Sequence, residues 1–156
     1  MSADLHTIRF LFEDSLEMAA SQDYSGAKSK IEEMHQLFEE CESIYVGEFI
    51  SNGRNLLIDI YKNSWDNKNL NFWPKDLNLA MSFFERAKEC MKNNDFSGAR
   101  LNLSKIKPAI RGAKFDKISI IILDNLYFDC YVLADEISLK DPVRPKSFWS
   151  KIFDRF

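Results

Sequence analysis

Glycine and proline are scarce in this chain, with five and four occurrences among 156 residues. Because these two residues punctuate turns, their scarcity argues against a many-turned all-β fold and favours long helices. No apolar run approaches the roughly 20 residues that a membrane-spanning helix needs. The first ten residues, MSADLHTIRF, lack a basic start followed by an apolar run, so we expect no secretory signal.

Side chains that commonly carry catalysis are also few. The chain has two histidines, His6 and His35, which excludes mechanisms that need several imidazoles. Its three cysteines are far apart and lack metal-ligand spacing, which indicates buried, reduced thiols in a cytoplasmic protein. Catalysis by a cysteine stays an alternative, because partner groups can meet in space. There is no glycine-rich phosphate loop, and we predict no enzyme activity, no cofactor and no metal site.

The charge is distributed unevenly around a net value of −3. Residues 1–72 contain 6 basic and 13 acidic side chains, whereas residues 73–156 contain 15 and 11. This pattern does not suggest nucleic-acid binding by the whole chain, and we expect none. It does suggest that the two halves face different surroundings or each other.

Apolar side chains recur at spacings of three and four residues, which predicts amphipathic helices. Residues 43–63 and 117–123 have an alternative as strands, because Asn52-Gly53 is typical of a hairpin turn and KISIIIL is a short apolar run. We favour helices, since the spacing continues through Gly53 and the second segment extends beyond 20 residues without a turn signal. The predicted helices are 4–21, 26–41, 43–63, 76–93, 97 to about 108, 116–139 and 147–155.

The start and end signals complete the predicted architecture. Asp23 or Ser25, Asp76 and Asp116 are predicted helix caps, and Pro108 is predicted to end or kink the fifth helix. The fold class is all-α, with two related three-helix units stacked into one bundle or short solenoid, and a short C-terminal amphipathic helix. The predicted ranges are 1–63 and 76–140 for units that share one core, 64–75 for their connector, and 141–156 for the tail.

One phrase occurs twice at an offset of 72 residues: QDYSGAKSKI at 22–31 and NDFSGARLNL at 94–103. An aromatic, a small pair and an apolar stripe recur in register, which predicts the same helix-turn-helix corner in each unit. The phrase resembles the turn of a tetratricopeptide helical hairpin. That resemblance implies a helical scaffold that binds protein segments. The matching residues are Asp23, Tyr24 and Ala27, and Asp95, Phe96 and Ala99.

A second resemblance is to HEPN helical bundles, which carry a similar Asp-Tyr-x-x-Ala corner. Ribonucleases of that family use an Arg and a His a few residues apart, and the nearest equivalent here is Lys30 with His35. The resemblance implies RNA cleavage as an alternative function. Glu32-x-x-His35 is also half of a di-iron motif. Because the second copy has no matching pair, we interpret it as a solvated acidic face.

The densest acidic stretch surrounds the predicted second helix and is the main candidate for partner binding. Glu32, Gln36 and Glu40 are predicted to share one helical face, with Glu33 alongside and Glu39 nearby. Such a charge run often serves solubility alone. The alternative is a docking ridge for a protein with a basic surface, because opposed potentials speed encounter and reject wrong partners.

Aromatic residues supply the other candidate contacts. Trp65 and Trp73 flank the connector and either close the seam between the units or anchor a partner. In the tail, Phe148, Trp149 and Phe153 either pack back onto the bundle, dock into another protein, or contact a membrane surface.

These observations favour a non-catalytic protein-binding module that acts by stoichiometric occlusion or scaffolding. Concrete versions are an immunity protein that neutralises a bacterial toxin and a chaperone-like adaptor. The alternatives are a HEPN-like ribonuclease and a peripheral membrane adaptor that attaches through the C-terminal helix.

Overall fold

The computed structural model describes residues 4–142, and the regular structure of this range is α-helical. Seven helical segments follow one another, with no strand in the described range. Both segments with a strand alternative are helical, which confirms the predicted all-α fold. The predicted helix at 147–155 lies outside the described residues. The helices are α1 (Leu5–Ala20), α2 (Tyr24–Phe38), α3 (Val46–Asp66), α4 (Lys75–Lys92), α5 (Phe96–Ser104), α6 (Ile106–Ile110) and α7 (Lys117–Lys140).

The chain divides into two compact units, Met1–Phe72 and Trp73–Phe156. The first unit contains α1 to α3, and the second contains α4 to α7. The non-helical stretch between α3 and α4 is 67–74, which is shorter than the connector predicted from composition. Helix α3 stops there because Lys68 adopts a left-handed conformation with φ of 57°.

In the first unit, α2 packs against both α1 and α3, and α1 also contacts α3. Gly53 allows the close approach of α3 to α2, because a Cβ at this position would overlap the Met34 Cε. This contact explains why the helical pattern continues through a residue of low helix propensity. The buried apolar side chains of this unit include Ile8, Leu11, Ile31, Met34, Leu57 and Ile60.

In the second unit, α4 contacts α5, α6 and α7, and α5 also contacts α7. Helix α7 is apolar around most of its circumference, and nine of its residues are buried. One side of α7 therefore lies in the core of its unit, whereas Phe128, Tyr131, Val132 and Leu139 are more than half exposed. The buried apolar side chains here include Leu77, Ala80, Phe84, Leu103, Ile122 and Ile137.

A buried ion pair joins α5 to the C-terminal end of α7. Arg100 is only 3% exposed, and its Nη1 donates to the Asp141 Oδ2 at 2.7 Å. Its Nη2 donates to the Asp141 backbone carbonyl at 2.6 Å. Asp141 is the C-cap of α7, so this charge-assisted pair fixes the end of the helix against α5.

The repeated phrase forms the same tight turn between helices in both units. In the first unit, Gln22 has a φ of 64°, and the Asp23 amide donates to the Met18 carbonyl at 2.8 Å. These are features of a Schellman motif, which ends α1. The Asp23 carboxylate then accepts from the Gly26 amide at 3.0 Å and so caps α2.

The second unit repeats these bonds between α4 and α5. Asn94 has a φ of 57°, the Asp95 amide donates to the Cys90 carbonyl at 2.8 Å, and the Asp95 carboxylate accepts from the Gly98 amide at 2.9 Å. A Cβ on Gly98 would overlap the Asp95 carboxylate, as one on Gly26 would overlap that of Asp23. The phrase recurs because, in each unit, the amide of one aspartate bonds the end of one helix and its carboxylate caps the next. The glycine leaves room for that carboxylate.

The offset of 72 residues also relates the helix boundaries. At this offset α2 corresponds to residues 96–110, which is the combined span of α5 and α6. The second copy is interrupted at Lys105, three residues before Pro108. Pro108 has no amide hydrogen to donate to the Ser104 carbonyl, so a continuous helix would lose a bond there. The predicted interruption by proline is confirmed.

The predicted caps have different outcomes. Asp23 and Asp116 are N-caps, the latter accepting from the Ser119 amide at 2.8 Å. The prediction for Asp76 is wrong, because α4 begins one residue earlier, after Pro74. Asp76 instead lies in the first turn of α4, where its charge interacts favourably with the positive end of the helix dipole.

Candidate protein-binding surface

The acidic residues singled out from the sequence lie on α2 and in the turn that follows it. Glu33 and Gln36 are exposed on α2, whereas Glu32 is partly buried and pairs with Lys28 at 2.8 Å. Helix α2 ends at Phe38, earlier than predicted. The single helical face predicted to extend to residue 40 is therefore interrupted after Gln36.

Glu39 and Glu40 occupy the start of the loop between α2 and α3, and both are exposed. Glu39 is the C-cap of α2. Because the C-terminal end of a helix carries a partial negative charge, each nearby carboxylate costs on the order of 0.3–1 kcal/mol. The charge of Glu40, just beyond this end, is therefore unfavourable for α2.

Two large apolar side chains project from the same loop. Ile44 is 87% exposed and Tyr45 is 59% exposed. The predicted third helix, 43–63, included Tyr45, and that boundary is wrong, because α3 begins one residue after Tyr45, at Val46. The Tyr45 amide is bonded to the Ser43 Oγ at 3.2 Å, which forms a local turn before the helix.

We define the α2–α3 corner as residues 39–45 together with exposed Glu33, Gln36 and Glu48. No Lys or Arg occurs between residues 31 and 53, whereas six glutamates do. The corner therefore combines an apolar tip with carboxylates on both sides in sequence. Sequence analysis identified its charge but missed Ile44 and Tyr45.

The two tryptophans of the predicted contact set have different surroundings. Trp73 is 4% exposed, so its indole cannot serve as a surface anchor in the described structure, and that prediction is corrected. Removing this large apolar side chain from water stabilises the folded state. Trp65 is half-buried in the last turn of α3. The other predicted contacts, Phe148, Trp149 and Phe153, lie outside the described residues.

His35 has an environment that bears on the ribonuclease alternative. Its ring packs edge-on against Phe38 with centroids 4.7 Å apart, and its Nε2 is buried without a hydrogen-bond partner within residues 4–142. That nitrogen would be 3.9 Å from a Cβ placed on Gly53 of α3. Burial lowers the pKa of His35 below its ordinary value. The imidazole therefore packs between helices instead of projecting into solvent.

Two of the three cysteines, Cys90 and Cys130, show no sign of thiolate activation. Burial, with a smaller contribution from Asp129, raises the pKa of Cys130 to about 12. The pKa of Cys90 is also raised, mainly by burial and then by the charge of Asp95. A raised pKa keeps a thiol protonated and weakly nucleophilic at neutral pH.

Metal-binding side chains do not gather within the described range. Residues 4–142 contain no group of three or more His, Cys, Asp or Glu side chains that could hold a metal ion. The same range contains no helix that is both long and apolar enough to cross a bilayer.

Comparison with known proteins adds no family to this description. No protein-family model matches the chain, and neither does a curated protein or a solved structure.

Proposed function

We propose that this protein is a non-catalytic binding module that uses the α2–α3 corner to hold a partner protein with a basic surface. The observation that carries the proposal is the exposure of Ile44 and Tyr45 within a stretch whose charged residues are all glutamates. Tyrosine is enriched among residues that dominate interface energies, and exposed loops on a rigid scaffold commonly carry binding residues.

The corner supplies two complementary contributions to binding. The carboxylates attract a basic partner over a distance and orient it, which mainly raises the association rate. Ile44 and Tyr45 then lose water-exposed apolar area on contact, which mainly lowers the dissociation rate. Because the charge of Glu40 is unfavourable just beyond the end of α2, a role in recognition accounts for its position better than a role in folding does.

The mode of action that fits this surface is stoichiometric binding, in which the module covers or positions a patch on its partner. An immunity protein that blocks a basic bacterial toxin and a chaperone-like adaptor are the two concrete versions of this proposal. Both need a preformed acidic surface and no reacting group. A genomic neighbour that encodes a toxin would favour the first version.

The proposal is tested by site-specific photo-crosslinking in the native cell. A photoreactive residue replaces Ile44, and a control chain carries it at Leu101, which is 57% exposed on α5. We expect a defined partner to be crosslinked from position 44 and not from position 101. If no protein is crosslinked specifically from position 44, the corner is not the binding surface.

A further inference from the structure

A cavity lies in the second unit, beside α6. The cavity has a volume of about 520 Å³, within the range of small-molecule sites. Ile110 and Leu123 are almost fully buried at its base, and Ala113 and Phe115 are half-buried in its walls. We call this cavity the α6 groove.

The rim of the groove is built by a tight turn. Arg111 has φ and ψ of −63° and 125°, Gly112 has a φ of 79°, and the Ala113 amide donates to the Ile110 carbonyl at 3.1 Å. These values describe a type II turn, whose third position requires glycine. The turn holds Arg111 at the edge of the apolar base without depending on a long flexible loop.

Positive charge is concentrated in the segment that forms the groove. Lys107 and Arg111 line it directly. Residues 105–117 contain five basic side chains and one carboxylate, and that carboxylate, Asp116, caps α7. Arg111 is exposed and makes no hydrogen bond or ion pair with any residue in the range 4–142. Its guanidinium is therefore available to an incoming anion.

We propose that the α6 groove binds a small amphipathic anion, in which an apolar tail occupies the groove and a carboxylate contacts Arg111. Guanidinium is the side-chain group best matched to a carboxylate, because it offers parallel N–H donors. The apolar base defined by Ile110 and Leu123 selects for a hydrocarbon tail, and the net positive rim selects against cationic and neutral head groups.

The test uses decanoate as the probe and the full chain as the protein. Binding is followed by the amide NMR shifts of Gly112 and Phe115, which lie in the groove. We expect saturable shifts at these residues, and octanoate should bind roughly tenfold more weakly because two methylenes are lost. Decanol, which has the same tail and no charge, should also bind roughly tenfold more weakly than decanoate.

Two variants separate the charge contact from general electrostatics. Arg111→Gln should weaken decanoate binding roughly tenfold and leave decanol binding unchanged. Lys114→Gln is the matched control, because it removes an exposed cation of the same segment that does not line the groove. Its effect should be less than about twofold, as expected for screened surface charge.

Several outcomes would overturn the proposal. These are decanol binding as tightly as decanoate, equal effects of the two variants, and no binding at millimolar decanoate. If an acidic peptide shifts Gly112 and Phe115 while decanoate does not, the groove is a protein contact and the assignment to small anions is wrong. The α2–α3 corner belongs to the other unit, so these results leave its proposed role to its own test.

Discussion

The Arg100–Asp141 pair provides the sharpest stability prediction, and the repeat supplies its control. Arg100→Met keeps most of the buried aliphatic stem but removes both contacts to Asp141, at 2.7 and 2.6 Å. Breaking a buried ion pair lowers the free energy of unfolding by about 3–5 kcal/mol when the remaining charge is shielded from water. The Asp141 side chain is 25% exposed, so water compensates in part, and we expect a loss of about 2–4 kcal/mol.

The equivalent residue of the first unit is Lys28, which pairs with Glu32 one helical turn away at 2.8 Å. Lys28→Met makes the same change at a less buried site and should cost less than Arg100→Met does. Urea unfolding followed by far-UV circular dichroism measures both values. In a double-mutant cycle, Asp141→Ala should add little to Arg100→Met, since the shared contact is already lost.

The reasoning about this pair is wrong if Arg100→Met and Lys28→Met lower the free energy of unfolding equally. It is also wrong if the losses from Arg100→Met and Asp141→Ala are simply additive. Either result would mean that the ion pair does not fix the end of α7.

Three further predictions concern the repeated turn between helices and His35. Gly98→Ala should lower the melting temperature, because the added Cβ displaces the Asp95 cap at a cost of about 1 kcal/mol. Gly47→Ala should raise the melting temperature, because its Cβ meets no atom within 4 Å and alanine favours the helix. Two shifts of the same sign would contradict this prediction. Because burial lowers the pKa of His35, protonation favours the unfolded state, so stability should fall as pH drops below the unfolded value of about 6.5. His35→Gln should remove this loss and His6→Gln should not, and an unchanged pH slope in His35→Gln would refute the assignment. Purified protein should not cleave RNA, and cleavage that disappears in His35→Ala would establish the ribonuclease alternative.

The features that sequence analysis predicted well are those fixed by local pattern. Residues 43–63 and 117–123 lie mainly in helices because their apolar spacing is helical over many turns, which outweighs the local turn signal of Asn52-Gly53. Asp23 was a recognisable cap, because its side chain bonds an amide three residues away, whereas the same role of Asp95 was not predicted. Such short-range chemistry is present in the order of residues.

Helix ends and distant contacts were harder to predict. The apolar spacing placed Tyr45 in the third helix, although Ser43 forms a turn that delays the start of α3. The burial of Trp73 and the pairing of Arg100 with Asp141 depend on residues brought together by folding, and 41 positions separate the latter two. The exposure of Ile44 and Tyr45 in the α2–α3 corner was also missed because these residues lie next to a helix boundary.

The affinity of the crosslinked partner for charge variants of the corner tests the central claim most directly. The double variant E39K/E40K reverses charge in the corner, and E13K/E17K makes the same change at exposed positions of α1. We predict that E39K/E40K weakens binding at least about tenfold, that E13K/E17K changes it little, and that added salt reduces the difference. Equal affinities for the two variants, or binding that is insensitive to salt, would contradict recognition through the α2–α3 corner.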